Sequence, residues 1–269
     1  MAAAEWIASS FGLTVEASTV LHDSNKLTIR LLPCDIVARV GPADTQAAQR
    51  EIDIAQRLVA AGSPVAALDP RVEPRVHEQD GFAITLWTYY EPVSLPEIAP
   101  GAYVNALERL HADMRTVDIP TPHFNDRVAE AQQVVADRER SPALADEDRN
   151  LLGETLRTFG RTIAHLDRDQ LLHGEPHAGN LLNTASGLRF VDFETCCRGP
   201  LEFDLAHAPR EVGELYPALD RDLLDDCRIL VLAMIAAWRW DRDDELPGGR
   251  RMANELLGQL RRALAHEGQ

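Results

Sequence analysis

The sequence has almost no lysine. Every positively charged side chain except Lys26 is an arginine, and acidic residues outnumber basic ones by 43 to 27, which gives a formal net charge of −16 at pH 7. A surface with this charge repels phosphate backbones and anionic lipids, which argues against nucleic acid or a membrane as the main partner. Cationic or neutral small molecules remain open, and a mechanism that needs a lysine has a single candidate.

Long apolar runs and a patterned set of cysteines are also missing. The longest apolar stretch, ILVLAMIAAW at 229–238, is too short to cross a bilayer and predicts a buried helix. The opening residues, MAAAEWIASSFGL, carry no basic leader and predict a short amphipathic helix, so we expect a soluble cytoplasmic protein. The four cysteines show neither metal-ligand spacing nor the density of a disulfide scaffold, and we expect Cys196 and Cys197 to be packing residues.

The character of the sequence changes near residue 91. Before it, short β-branched runs predict a three-stranded antiparallel meander over residues 14–40, a helix over 42–62, and two further strands joined through Asp80-Gly81. The proline-rich stretch YYEPVSLPEIAPG follows, and after it helical patterns dominate. We therefore predict two domains, 1–90 and 91–269. The predicted helices of the second domain span residues 102–117, 124–138, 145–166, 201–210, 218–240 and 249–266.

A predicted hairpin, LLNTASGLRFVDFE, interrupts the helical half. Centring it on Ser186 places Asn180 opposite Asp192 at its open end. Amide and carboxylate oxygens are ligands that Mg²⁺ takes when phosphates and water complete its shell. The pair therefore predicts a magnesium site, and the alternative is a polar hairpin end without a metal.

The stretch LLHGEPHAGNLL carries Glu175 on a loop that Gly174 and Pro176 keep out of a helix. An acid beside a metal-phosphate complex can orient a hydroxyl and accept its proton. The alternative is a zinc site built on His173 and His177, as in H-E-x-x-H enzymes. That site needs a helix, which the glycine and the proline interrupt, and its glutamate belongs in a different position.

Glu51 lies in the apolar stripe of its predicted helix, in phase with Ala47, Ile54 and Leu58. A carboxylate on a buried face needs a cation, and Arg39 in the preceding strand is the nearest candidate. Kinase-like folds hold nucleotide phosphates with such a strand cation and helix glutamate. An ordinary structural ion pair, or an exposed helix edge, is the alternative.

The segments LLHGEPHAGNLL, FVDFE and GPLEFDLA resemble, in this order, the Brenner-type signature of the aminoglycoside phosphotransferase and choline kinase-like family. The resemblance extends back through IVARV, QREIDIAQRLVAAGSPV and ITLWTYYEPV and so covers most of the chain. It implies an α+β, bilobal, protein-kinase-like fold, with an N-terminal antiparallel sheet lobe that carries one helix and a mostly helical C-terminal lobe. It also implies that the protein binds ATP and Mg²⁺ between the lobes and phosphorylates a hydroxyl of a small molecule.

The resemblance implies a role for each matching residue. Glu175 stands where the family has its catalytic-base aspartate, and Asn180 and Asp192 match the Mg²⁺ ligands. His173 is expected to brace the loop from behind. Asp204 is expected to tie the loop backbone to the following helix, and a helix N-cap is the alternative for this residue.

On the nucleotide side, HDSNKL occupies the place of the phosphate-covering loop but contains no glycine. Ser24 and Asn25 offer donors there, and Lys26 is expected to supplement Arg39. Adenine is expected to hydrogen-bond to the backbone after the last strand of the sheet, although aromatic packing explains the same residues. This connection consists of Trp87, Thr88, Tyr89 and Tyr90.

Two positions depart from the family pattern. Arg39 stands where many kinase-like proteins have lysine, which keeps the charge but replaces a point charge by a planar fork. Glu175 is one methylene longer than aspartate, and a displacement of about 1 Å can lower a rate about 10²-fold. We expect a tuned or slow kinase, and the alternative is a catalytically silent nucleotide-binding protein.

The sequence leaves the acceptor and the nucleotide open. The acidic clusters DRDLLDD at 220–226 and DRDDELPG at 241–248 could line a cleft for an amino sugar or another cation, but solvated acidic faces are the favoured interpretation. Aminoglycoside-like compounds, amino alcohols and sugars remain candidate acceptors, and GTP is the alternative donor.

Overall fold

The computed structural model describes residues 1–23, 26–43, 45–93, 98–166 and 168–267. The helices are α1 (Ala2–Ser10), α2 (Thr45–Ala61), α3 (Pro100–Met114), α4 (Phe124–Ala136), α5 (Asp146–Ala164), α6 (Leu201–His207), α7 (Arg210–Leu215), α8 (Arg221–Arg239) and α9 (Gly249–Glu267). The strands are β1 (Val15–Asp23), β2 (Leu27–Pro33), β3 (Ile36–Pro42), β4 (His77–Gln79), β5 (Phe82–Thr88), β6 (Gln170–Leu172), β7 (Leu181–Thr184), β8 (Gly187–Phe190) and β9 (Cys197–Gly199).

The chain forms two compact units. The first consists of Met1–Pro120 and Ala178–Cys196, and the second of Thr121–His177 and Cys197–Gln269. These units do not coincide with the predicted domains 1–90 and 91–269. The domain boundary was inferred from the composition of the sequence, and the two domains stay a prediction about functional lobes.

Packing accounts for the difference. Helix α3 contacts α2 and strand β8, so the segment after residue 91 continues the first unit. The N–H of Val93 donates to the carbonyl of Asn183 at 2.8 Å, and the N–H of Phe190 donates to the carbonyl of Pro64 at 2.8 Å. These bonds link the hairpin formed by β7 and β8 to the early part of the chain, across a sequence distance that composition does not reveal.

The first unit is built on an antiparallel sheet with the strand order β1-β2-β3-β5-β4. The predicted meander of β1, β2 and β3 is confirmed, and so is the hairpin through Asp80-Gly81. Both turn residues have positive φ angles, 54° and 79°, which an Asp-Gly pair accommodates in a two-residue turn.

The two faces of this sheet have different chemistry. On one face, Leu31, Ala38 and Ile84 are buried in a core that includes Ile7 of α1. Arg39 of β3 lies on the other face, because strand side chains alternate between the two faces of a sheet. It is the cross-strand partner of Thr85 on β5. The second face therefore carries the polar groups of the candidate site.

The second unit has a helical core. Helix α8 contacts α4, α5, α6 and α9, and the predicted buried helix over 229–238 is confirmed as part of it. Leu230 and Met234 are fully buried there. The Asp220 carboxylate caps the start of α8 by accepting a hydrogen bond from the N–H of Leu223 at 3.2 Å.

One predicted helix is divided. Residues 201–210 were expected to form a single helix, but α6 ends at His207 and α7 begins at Arg210. Pro209 explains the break, because a proline disfavours helical geometry for the residue before it. Ala208 accordingly has an extended conformation, with φ −78° and ψ 160°.

Two absences concern the described part of the chain. None of its helices has the length and apolar content that a membrane crossing needs. The cysteines are free thiols, and Cys196 and Cys197 are buried, as expected for packing residues.

Candidate active site

Arg39 connects two carboxylates in the first unit. Its Nη1 donates to Oε1 of Glu51 on α2, and its Nη2 donates to Oδ1 of Asp192 at 2.7 Å. The N–H of Phe193 also donates to Oε1 of Glu51, at 3.2 Å. The ion pair predicted from the apolar phase of Glu51 is therefore present, and its role toward a nucleotide stays a prediction.

Burial and the attraction between the two charges act in opposite directions on the pKa values of Glu51 and Arg39. Only 1% of the Glu51 side chain is exposed, and Oε2 is buried without a hydrogen-bond partner among the described residues. Burial raises the pKa of Glu51, and the Arg39 charge opposes the rise. Burial alone lowers the pKa of Arg39, but Glu51 and Asp192 outweigh it and raise that pKa above its ordinary value. Arg39 is thus a permanent cation.

A cavity of about 200 Å³ opens beside Arg39. Lys26 lines it, and its Nζ lies 2.6 Å from Oε2 of Glu194, which also lines the cavity. Gly41 leaves room for the lysine, because a Cβ at this position would lie 3.0 Å from Lys26 Cγ. The cavity is lined by Lys26, Arg39, Gly41, Pro42, Ala48, Ala83, Thr85 and Glu194.

The register of the β7–β8 hairpin differs by one residue from the predicted register. Leu181 pairs with Phe190, and beyond them the N–H of Val191 donates to the carbonyl of Asn180 at 3.0 Å. Asn180 therefore lies opposite Val191. The predicted cross-strand pair of Asn180 and Asp192 is wrong.

The turn accounts for this error. Centring the hairpin on Ser186 assumes a three-residue turn, but two residues separate Thr184 from Gly187. The Thr184 hydroxyl accepts a hydrogen bond from the N–H of Ser186 at 3.2 Å and donates to the carbonyl of Gly187 at 2.7 Å. Because strand side chains alternate between faces, a shift of one residue moves each predicted partner to the opposite face.

Asp192 is redirected by its backbone. Its φ and ψ are 67° and 66°, in the left-handed region, and a short 3-10 turn from Phe193 to Thr195 follows. Aspartate tolerates this conformation better than most residues. Its carboxylate is held by Arg39 and is 37% exposed, so it is accessible to a ligand. The left-handed backbone of Asp192, and not strand pairing, therefore sets the orientation of its carboxylate.

Asn180 and Asp192 have the chemistry of magnesium ligands, since both offer hard oxygens and neither is fully buried. No group of three or more His, Cys, Asp or Glu side chains within the described ranges could hold a metal ion. A zinc centre with three such ligands is therefore not found there, and residues 173–177 are not helical. A magnesium ion would need further oxygens from a nucleotide and water.

In the second unit, Asp204 holds the loop that carries Glu175. Its Oδ2 accepts a hydrogen bond from the N–H of His173 and its Oδ1 accepts one from the N–H of Gly174, both at 2.8 Å. The predicted tie between the loop and α6 is therefore present. The N-cap of α6 is Pro200, so the alternative role of Asp204 as an N-cap does not apply.

His173 lies behind the loop, as the resemblance implies. Its side chain is fully buried, and its Nδ1 accepts a hydrogen bond from the N–H of Glu175 at 3.4 Å. The Glu175 carbonyl in turn accepts a hydrogen bond from the N–H of His177 at 2.8 Å. The loop geometry is thus set by its own backbone and by two buried side chains.

The partner of Glu175 is an arginine that was not among the predicted site residues. Arg127 on α4 donates from Nη2 to Oε1 of Glu175 and from Nη1 to the carbonyl of Gly174, the latter at 3.2 Å. A signal was available, because Arg127 is three residues after Phe124 and adjacent to Val128, both on the buried stripe of α4. The reasoning that identified Glu51 applies equally to this arginine.

Arg127 determines the ionisation of Glu175. Burial raises the pKa of Glu175, but the charge of Arg127, assisted by His207, His177 and the Arg127 hydrogen bond, lowers it below its ordinary value. His207 is itself buried, which lowers its pKa to about 4, so it is neutral at pH 7. Glu175 is therefore ionised at neutral pH.

The residues predicted to contact adenine make internal contacts. Trp87 Nε1 donates to the Thr85 hydroxyl at 2.8 Å, and the Tyr90 hydroxyl accepts from the N–H of Ala67 at 3.2 Å. The N–H of Thr88 already donates to the carbonyl of Ala67 at 2.9 Å, so it is engaged within the protein. Tyr89 stacks against a guanidinium, with Arg30 Cζ 3.7 Å from its ring centroid. An adenine contact stays a prediction for this connection.

Ser24 and Asn25, the predicted donors of the phosphate-covering loop, lie outside the described residues. The acidic clusters predicted to line a cleft are in the described part and are largely paired with arginine. Asp241 lies 2.5 Å from Arg140, and Asp244 lies 2.5 Å from Arg239. In the other cluster, Asp220 and Asp225 make ion pairs as well. Four of the acidic side chains are therefore paired within the protein, and a cleft for a cation stays a prediction.

Three solved structures illustrate what the fold is similar to. Amicoumacin kinase hAmiN, in complex with AMP-PNP, Ca²⁺ and Ami, has a TM-score of 0.69 and 12% identity over 90% of this chain and 87% of its own. A choline/ethanolamine kinase family protein from Mesorhizobium loti has a TM-score of 0.69 and 16% identity over 98% and 92%. A spectinomycin phosphotransferase with ADP and spectinomycin has a TM-score of 0.69 and 12% identity over 99% and 98%.

At these identities the likeness shows the fold, and it confirms the predicted α+β, kinase-like class with an antiparallel sheet lobe and a helical C-terminal part. No curated protein sequence matches the chain significantly. The model of the phosphotransferase enzyme family matches residues 19–247. Because this match covers most of the sequence, the chain belongs to the phosphotransferase enzyme family.

Proposed function

We propose that the protein transfers the γ-phosphate of ATP, with Mg²⁺, to a hydroxyl of a small molecule. The observation that carries the proposal is the bridge from Arg39 to Glu51 and Asp192 beside the cavity of the first unit. A strand cation fixed by a buried helix carboxylate is the arrangement with which kinase-like enzymes hold nucleotide phosphates. The similar structures that hold AMP-PNP with Ca²⁺, or ADP, agree with a nucleotide and a divalent metal.

The charges around the cavity support a requirement for a divalent cation. Lys26 and Arg39 face the carboxylates of Glu51, Asp192 and Glu194, so the carboxylates outnumber the cations before any phosphate arrives. We propose that Asn180 and Asp192 hold Mg²⁺ together with nucleotide oxygens and water. When bound, the ion neutralises charge on the phosphates.

Lys26 is proposed to exchange partners when a nucleotide binds. Its ammonium contacts Glu194 at the wall of the cavity. The volume of this cavity is smaller than a whole nucleotide requires. A phosphate oxygen offers the same charge-assisted hydrogen bond as the Glu194 carboxylate. A phosphate of the nucleotide therefore replaces Glu194 as the partner of Lys26, and the Lys26 ammonium stabilises the negative charge of that phosphate.

Because Lys26 is the single lysine of the sequence, this exchange can be measured by chemical labelling. An amine-reactive reagent should modify Lys26 in the free protein and modify it several-fold more slowly with Mg²⁺ and AMP-PNP. Peptide mass spectrometry gives the rate, and a lysine-containing peptide added to both reactions is the internal control. Equal rates with and without the nucleotide would exclude Lys26 from the nucleotide site.

Glu175 is proposed to orient the acceptor hydroxyl and to accept its proton. The carboxylate is ionised at neutral pH, and the loop that carries it is fixed by Asp204. Along the chain it precedes Asn180 by five residues. A lowered pKa makes Glu175 a weak base, but phosphoryl transfer depends chiefly on positioning and charge neutralisation, so a weak base suffices.

For the acceptor we propose a small molecule with a free hydroxyl, with amino sugars, aminoglycoside-like compounds, amino alcohols and neutral sugars as candidates. The acidic clusters do not by themselves favour a cation, because arginines neutralise Asp241, Asp244 and Asp220. Selection for a cationic acceptor would have to come from other groups.

The second candidate is a catalytically silent nucleotide-binding protein. It is favoured by one observation, the ion pair that engages Glu175 with Arg127. ADP release separates the two candidates. We expect ADP to form from Mg²⁺-ATP in the presence of at least one hydroxylated acceptor, tested across the classes named above with GTP in parallel.

A protein that binds Mg²⁺-ATP but releases no ADP with any acceptor would support the silent alternative. A Glu175→Ala variant with full activity would instead keep the enzyme and remove Glu175 as its base. Control reactions without an acceptor measure ATP hydrolysis, which must be subtracted.

A further inference from the structure

Arg127 has three partners in the second unit, and two of them belong to the loop of Glu175. Its guanidinium donates to the Glu175 carboxylate and to the carbonyl of Gly174, and it lies 5.0 Å from the ring centroid of Trp238 on α8. Only 16% of the side chain is exposed. The guanidinium is therefore fixed by contacts on several sides.

The loop is held by complementary groups. Asp204 accepts hydrogen bonds from two N–H groups of the loop, and Arg127 donates a hydrogen bond to a carbonyl of the same loop, that of Gly174. What Arg127 adds is a contact with the functional side chain itself. The orientation of the Glu175 carboxylate thus depends on an arginine of helix α4, outside the loop.

A glutamate needs such a contact more than an aspartate does. Its additional rotatable bond gives the carboxylate more orientations, and fixing them costs conformational entropy. A planar guanidinium imposes direction on a carboxylate, which a lysine ammonium does not. The Arg127 contact therefore compensates for the additional methylene of Glu175.

We infer that Arg127 is a positioning residue, which fixes the Glu175 carboxylate toward the acceptor hydroxyl. This inference rests on the proposed function. Arg127 acts through Glu175 and is not proposed to contact the nucleotide, whose cavity belongs to the first unit.

The other groups that face Glu175 do not replace Arg127. His207 on α6 is neutral at pH 7, because burial lowers its pKa to about 4. Cys197 on β9 stays a neutral thiol, because burial raises its pKa. His177 lies on the loop itself and contributes a smaller electrostatic effect than Arg127. Within the part of the chain that the structure describes, Arg127 is the charged group with the largest effect on the pKa of Glu175.

An Arg127→Met variant tests the inference. We expect kcat to fall by about 10²-fold, as for a reacting group displaced by about 1 Å, with the KM for ATP unchanged. The acid limb of the kcat profile should move to higher pH, because burial still raises the pKa of Glu175 and the charge that lowered it is gone. Arg127→Lys should give an intermediate kcat, and the acid limb should return most of the way to its wild-type pH. A lysine supplies the positive charge again but lacks the planar guanidinium.

Arg140→Met is the matched control. Arg140 also pairs with a partly buried carboxylate in the second unit, Asp241 at 2.5 Å, but it does not contact the loop of Glu175. We expect wild-type kcat and an unchanged pH profile. Thermal unfolding of all variants identifies any loss of fold, and Arg127→Lys carries the test if Arg127→Met does not fold.

A titration that does not depend on turnover separates this inference from the proposed function. In protein labelled with ¹³C-glutamate, the Glu175 resonance is the one that a Glu175→Gln variant lacks. We expect its pKa to be higher in the Arg127 variants than in the wild type. Unchanged titration and unchanged kcat in Arg127→Met would overturn the inference and leave the phosphotransferase proposal intact. A shifted pKa in a protein that phosphorylates no acceptor would overturn the proposed function and the positioning role with it.

Discussion

An Asp192→Asn variant should remain folded and lose between about 10²- and 10³-fold in kcat, the usual effect of removing one preorganised electrostatic contact in a reaction that develops charge. Asparagine keeps the shape of the side chain and tolerates the left-handed backbone at φ 67°. Its oxygen can still accept the hydrogen bond from Arg39, which Asp192 receives at 2.7 Å. The substitution therefore removes the negative charge and little else.

The measurement is kcat over a range of Mg²⁺ concentrations. We expect the variant to need more Mg²⁺ for half-maximal rate, because a neutral amide binds the cation less strongly than a carboxylate does. Wild-type kcat and Mg²⁺ dependence would remove Asp192 from the metal site.

Asp35→Asn is the matched control for this experiment. Asp35 also has a positive φ, 54°, and also accepts a hydrogen bond from an arginine at 2.7 Å, in this case Arg30. It does not line the cavity. Its substitution should leave kcat unchanged, which would separate the metal role of Asp192 from a general effect of losing an ion pair at such a position.

Replacing Arg39 by methionine should destabilise the protein by about 3–5 kcal/mol, the typical cost of leaving a buried charge without its partner. Glu51 is 1% exposed, and its Oε1 would keep the hydrogen bond from the N–H of Phe193 at 3.2 Å but lose its cation. Activity should fall as well, because the cation proposed to hold the phosphates is lost. Urea unfolding, followed by circular dichroism, measures the change in stability.

The double variant Arg39→Met/Glu51→Met distinguishes the two effects. Replacing a buried ion pair by apolar residues of similar volume is often neutral for stability. We expect the double variant to recover most of the stability and none of the activity. Recovery of both would mean that the pair has a structural role alone, which was the alternative interpretation of Glu51.

The interpretation from sequence succeeded where a local rule applied. Glu51 was identified because a carboxylate in phase with apolar residues must find a cation, and the strand before its helix offered Arg39. The Asp80-Gly81 hairpin followed from the φ angles that these two residues accept. In both cases the information is close in sequence, in adjacent residues for the hairpin and within 12 positions for the ion pair.

The interpretation failed where a small local choice has a large consequence. The hairpin of β7 and β8 was predicted one residue out of register, because the amino-acid sequence of its turn is compatible with both a two-residue and a three-residue turn. Asp192 then obtains its orientation from a left-handed backbone and not from strand pairing. Arg127 was overlooked although its helical phase indicated burial, since its carboxylate partner is 48 positions away in the chain.

The sequence by itself determined the antiparallel sheet, the buried helix over 229–238 and the order of the motif residues, because alternation, helical phase and turn chemistry are local properties. Tertiary structure decided that Arg39 also pairs with Asp192 and that Arg127 pairs with Glu175. It also decided that α3 and the late hairpin belong to the first compact unit. The physical reason is that ion pairs and packing join residues that are distant in the chain, and the energy of such contacts depends on burial, which only the folded structure creates.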